Sequence, residues 1–194
     1  MVRSNRVIKK NYKRILIFMS FVLVFIMLLL VVVPTATENI KKFDLIVRTE
    51  ISINAPASAV WPYLFNVKKW KTSIAKLERV AGDPNKVGET LRVTPKGTVE
   101  DQGYYIKYVR VVENRQLVIK IFNIPDDGVV GYSDFSLFES NGKTHLIYDV
   151  YAEYSLPAMT DEEVKTFGQQ VYEGTKNKLE TENHKLKELV EAQS

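Results

Sequence analysis

Cysteine is absent from the 194 residues. That removes disulfides, iron–sulfur clusters, thiolate zinc sites, a thiol nucleophile and a lipidated N-terminal cysteine, and leaves the redox compartment open. Histidine is almost absent: His145 and His184 stand alone. Neither has a second histidine at ligand spacing, so no metal site is expected, because a transition metal needs several convergent donors. There is no G-x-S-x-G elbow, P-loop, zinc-finger or RNP-type pattern, so Ser/His/Asp hydrolysis and the common nucleic-acid modules have no signature. Acidic residues are missing from residues 1–33, which carry six basic ones: Arg3, Arg6, Lys9, Lys10, Lys13 and Arg14. All 23 Asp and Glu lie in the remainder, against 21 of the 27 Lys and Arg, a net of −2. The pI of about 9.1 therefore belongs to the N-terminal tail. The rest of the chain has no basic excess to meet a nucleic acid.

Long apolar runs are confined to one place. Ile15 to Val33 is 19 residues long with Ser20 its one polar member. As a helix it spans about 28 Å, close to the hydrocarbon thickness of a bilayer. Six positive charges precede it and three (Lys41, Lys42, Arg48) lie in the 17 residues that follow. That bias predicts a single-pass anchor in the cell membrane, with residues 1–14 cytoplasmic and the remainder extracytoplasmic. A cleaved signal peptide is the rival, but its apolar region is normally shorter, and Pro34 fits poorly at the cleavage site before Ala36. Residues 34–42 read as a tether and 43–194 as one domain.

Within that domain Leu45, Val47, Thr49, Ile51 and Ile53 alternate with Ile46, Arg48, Glu50 and Ser52, a half-buried strand. Asn54 and Pro56 suit the start of a short helix carrying Val60, Trp61, Leu64 and Phe65, and a second helical piece carries Trp70. Strands are then predicted over 74–80, 89–94, 104–112, 117–123, 132–139 and 144–154, each bounded by turn residues, which means an antiparallel sheet. Asn141-Gly142 predicts a two-residue hairpin turn. That register sets Leu137 opposite Leu146, Phe135 opposite Tyr148, Ser133 opposite Val150 and Gly131 opposite Ala152 on an inward face. On the other face it pairs Phe138 with His145, Ser136 with Ile147 and Asp134 with Asp149. A long helix follows, started by a capping box of Thr160 and Glu163. Its apolar positions are dense to Leu179 and thin across 180–185, which predicts that the last turns project beyond the sheet. Glu180–Glu188 reads as a solvated face.

Three stretches carry a family resemblance: ISINAPASAVWPYLFNVKKWKT (51–72), KVGETLRV (86–93) and FSLFESNGKTHLIYDV (135–150). Their order resembles the START-like or SRPBCC superfamily, which includes polyketide cyclase/dehydrase and Bet v 1-like proteins. The resemblance implies an α+β helix-grip fold, a curved antiparallel sheet wrapped around a long C-terminal helix, here preceded by one transmembrane helix. It also implies a cavity between sheet and helix. It supplies no shared set of catalytic residues, so no catalytic residue and no cofactor is assigned.

The residues expected to line that pocket are Ile119, Ile121, Phe135, Leu137, Leu146, Tyr148, Val150, Phe167 and Val171. Tyr148 leads because an aromatic with a polar tip can both bind and orient an apolar guest. Trp61 and Trp70 are expected in the core. Asp134 and Asp149, as close carboxylates, could share acid/base work; on the outer face they would instead be separated by water or screened by Lys120 or Arg110. The expected function is a membrane-anchored binding protein for a small hydrophobic or amphipathic, lipid-like ligand. The alternatives are a cyclase/dehydrase-type enzyme using the same cavity and an interaction module with a filled core.

Overall fold

The computed structural model describes residues 40–98, 103–123, 131–156 and 159–193. The basic tail, the apolar run Ile15–Val33 and the tether as far as Asn39 lie outside them. Alternating side chains set seven strands: β1 (Lys41–Ile53), β2 (Ile74–Ala81), β3 (Thr90–Pro95), β4 (Tyr104–Val112), β5 (Gln116–Phe122), β6 (Gly131–Ser140) and β7 (Lys143–Leu156). They form one antiparallel sheet in the order β1-β7-β6-β5-β4-β3-β2. A short helix α1 (Ala57–Phe65) and a 3-10 turn (Val67–Lys69) connect β1 to β2, and the long helix α2 (Asp161–Glu191) follows β7. This is the curved sheet and long helix of a helix grip.

The β6–β7 hairpin has the expected register throughout, from Ser140 opposite Lys143 to Gly131 opposite Ala152. Asn141 and Gly142 hold it with φ of 51° and 70°, the doubly positive backbone of a type I′ turn. β1 starts earlier than its apolar alternation suggests. Lys41 and Lys42, read as tether, are strand residues because β7 continues to Leu156 and Ser155 opposite them.

Helix α2 runs beside β1 in the same direction, and their contacts keep step. Lys41 meets Asp161, Asn183 Nδ2 donates to Thr49 Oγ1 at 2.9 Å, and Lys187 Nζ donates to the Ser52 carbonyl at 2.9 Å. Gly168 lets the two elements touch, since a Cβ there would lie 2.6 Å from the Phe43 ring and the ring would have to shift. The capping box forms as expected: Glu163 N–H donates to Thr160 Oγ1, and the Thr160 N–H donates to Glu163 Oε2 at 2.7 Å.

The prediction for the end of this helix is corrected. Its buried residues are Gly168, Leu179, Glu182, Asn183, Leu186 and Val190, so the later half packs on the sheet and the earlier half is largely exposed. Aromatic rings fill the space under the early turns instead: Phe167 sits edge-on to Phe43 (6.3 Å) and Tyr154 (6.0 Å). The polar stretch is not uniformly solvated either, because Glu182 and Asn183 find partners inside.

A cavity with a buried ion pair

Between the sheet and α2 lies a cavity of about 200 Å³. Its sheet side comes from Val93, Tyr104, Ile106, Ile119, Ile121, Ser133, Phe135, Tyr148 and Val150 on five adjacent strands. Thr175, Lys178, Leu179 and Glu182 of α2 cover it, and Val67, Lys71 and Ile74 close one side. The period of two explains the sheet wall, since every second residue of each strand turns inward.

Five of the nine expected lining residues meet here: Ile119, Ile121, Phe135, Tyr148 and Val150. Leu137 and Leu146 point to the same face but sit farther along their strands, in the packed core with 5% and 0% exposure. Phe167 belongs to the aromatic cluster with Phe43 and Tyr154, and Val171 packs against the core without lining the cavity. Trp61 and Trp70 are core residues; the Trp70 indole donates to the Tyr63 carbonyl at 2.8 Å and meets Phe135 edge-on.

Sequence reasoning found the polar tip of Tyr148 but missed the charged pair beside it. Lys71, in the turn after the 3-10 segment, donates to Tyr148 Oη at 2.8 Å and to Glu182 Oε2 at 3.0 Å. Its ammonium also lies 4.8 Å from the ring centroids of both Trp70 and Tyr148, which supports a cation on both sides. Burial works against this charge, but the Tyr148 oxygen and the Glu182 carboxylate more than offset it, and the amine is held above the ordinary lysine value. Tyr148 is stacked on Phe135 with centroids 4.1 Å apart, and its hydroxyl lies 3.5 Å from Ser133 Oγ. Burial pushes the Tyr104 phenol up, against the pull of Lys71. The wall is thus mostly apolar, with one neutral ion pair and phenol groups at fixed positions.

The other candidates fall outside. Asp134 and Asp149 are direct neighbours, as the register requires, but on the outer face. Among the described residues neither Lys120 nor Arg110 makes a hydrogen bond or ion pair with them. Arg48 donates from Nε and Nη2 to Asp149 at 2.7 and 2.8 Å, while Gln116 Nε2 and Ser136 Oγ donate to Asp134 at 2.8 and 3.1 Å. Two carboxylates tolerate each other because each has its own donors. His145 is on that face beside Glu50 (3.2 Å), and His184 is exposed on α2. A larger groove of about 870 Å³ is walled by exposed Arg110, Glu113, Arg115 and Glu139, with buried Ala57 and Leu137 also in its lining.

No family model matches the chain, and no curated protein matches it in sequence. Solved structures match it in shape. A Staphylococcus aureus protein of unknown function aligns with a TM-score of 0.65 at 14% identity, over 79% of this chain and 97% of that one. The Zhui aromatase/cyclase of Streptomyces sp. R1128 aligns at 0.56 with 13% identity, over 77% and 94%. Norcoclaurine synthase of Thalictrum flavum aligns at 0.54 with 16% identity, over 77% and 87%. What these share with the present chain is the START-like, Bet v 1-like fold.

Proposed function

We propose that this helix-grip chain is a binding protein for a small, mostly apolar molecule, held at a membrane by Ile15–Val33. The observation that carries the reading is the cavity of about 200 Å³ between sheet and α2. An engineered apolar cavity of roughly 150 Å³ admits benzene, whereas pockets for drug-sized ligands start at about 300 Å³. The guest is accordingly a single-ring-sized molecule, smaller than a whole lipid. A filled-core interaction module has no use for this space. The likeness to an aromatase/cyclase and to norcoclaurine synthase supports a guest in this position. A cyclase-type reaction is the second reading, and Lys71, Tyr148 and Glu182 would be its groups. Lys71 held as an ammonium is no nucleophile, which favours binding.

The anchor rests on the length and charge bias of residues 1–33. It places the N-terminus in the cytoplasm and the domain outside. No helix among the described residues is long and apolar enough to cross a membrane.

Full-length protein reconstituted in lipid nanodiscs tests both parts. Toluene is expected to raise the thermal unfolding midpoint of the protein over that of the same discs without toluene. Ile121→Trp, which fills the cavity from its sheet wall, is expected to weaken that binding about tenfold or more. Equal binding by the variant would place the guest elsewhere, and release of the chain from native membranes by alkaline carbonate would remove the anchor.

A further inference from the structure

The cavity wall holds an unanswered hydrogen-bonding position. Glu182 is 2% exposed and spends Oε2 on Lys71; Oε1 is buried and meets no donor among the described residues. A buried carboxylate oxygen left this way costs free energy until something donates to it. Beside it, the Lys71 ammonium carries three N–H groups and gives one to Tyr148 and one to Glu182. One acceptor and one donor therefore stand together as a neutral pair in a wall whose other polar members are Tyr104, Ser133, Tyr148, Thr175 and Lys178.

Resting on the binding reading above, we infer that the guest is a neutral molecule with a hydroxyl group, of the phenol or small-alcohol class. Its O–H donates to Glu182 Oε1 once a turn of the carboxylate brings that oxygen to the cavity, its oxygen accepts from Lys71 Nζ, and its carbon body lies against Phe135, Ile119 and Val150. A hydrocarbon leaves Oε1 unpaired. An ether can accept from Lys71 but has nothing to donate. A carboxylate brings a second negative charge against Glu182, which low-dielectric surroundings amplify. An amine meets Glu182 but sets its positive charge against Lys71. The hydroxyl alone among these satisfies both positions without adding charge.

The test is a ligand series on the full-length protein in nanodiscs, with empty discs as the blank: 4-methylphenol, toluene, anisole and benzoate, each followed by calorimetric titration. The expected order has 4-methylphenol binding about tenfold more tightly than toluene or anisole, the size of one charge-assisted hydrogen bond, and benzoate weakest. In the double variant Lys71→Met/Glu182→Met the ratio of 4-methylphenol to toluene is expected to fall to about one. The wild-type series stands by itself should that variant not fold. Toluene or anisole matching 4-methylphenol overturns the hydroxyl inference and leaves the cavity reading intact, as does benzoate binding most tightly. Failure of every probe to bind defeats the cavity reading, and the inference with it.

Discussion

Lys71→Met is expected to destabilise the protein by about 3–5 kcal/mol, because it leaves the Glu182 carboxylate buried without its counter-charge. Glu182 has 2% exposure, and among the described residues no second cation lies within ion-pair distance of it. Removing both charges is a different perturbation. Lys71→Met/Glu182→Met replaces the pair with apolar groups of similar length, and such swaps are often neutral or stabilising. Urea unfolding of wild type, the two single variants and the double variant gives the coupling directly. A Lys71→Met protein within about 1 kcal/mol of wild type would mean the pair is open to solvent. The pH dependence follows from the direction of the shift. Lys71 has a folded-state value above the ordinary 10.5. Its stabilisation is thus fully present below 10.5 and is lost only as pH climbs through the higher folded value. Across neutral pH the wild-type pair contributes a constant amount.

Leu186→Ala is expected to cost about 2–5 kcal/mol, the range for truncating a fully enclosed leucine. Leu186 has 0% exposure, and Val190 one turn later has 1%. Val164→Ala, in the half-exposed first turns of α2, is expected to cost under about 1 kcal/mol. Chemical denaturation of the two variants against wild type makes the contrast quantitative. The reverse ranking would restore the view that α2 is anchored by its early turns and projects at its end.

That contrast marks where the sequence was legible. Local rules carried far: alternation placed most of β1, turn residues bounded the strands after it, Asn141-Gly142 set the β6–β7 register, and Thr160 with Glu163 announced the start of α2. Period two also put Leu137 and Leu146 on the right face. It could not say how far along each strand the cavity extends, because that depends on which turns of α2 lie above. Ile119, Ile121, Phe135, Tyr148 and Val150 thus line the cavity, while Leu137, Leu146, Phe167 and Val171 lie elsewhere. Lys71 and Glu182 escaped entirely. They are 111 residues apart, and each is surrounded by charged neighbours that read as solvent-facing. A buried charge is invisible in sequence unless its partner is known, and here the partner is supplied by the fold. The same reason explains Asp134 and Asp149: the hairpin register gave their adjacency, while Arg48, the cation that meets Asp149, arrives from a strand 101 positions away.

The pairing of β1 with β7 has a consequence for how the protein is made. Arg48 and Asp149 are 101 residues apart in the chain, and the whole β1 ladder is similarly distant from its partner. Contacts of such range slow folding, because a long loop must close before any of them forms. On the ribosome, β1 emerges early and has no edge to join until β7 has been translated. During that interval its unpaired backbone and its apolar Leu45, Val47 and Ile51 stand open to other chains. The order of the strands thus leaves β1 the last to find its partner as the chain is made.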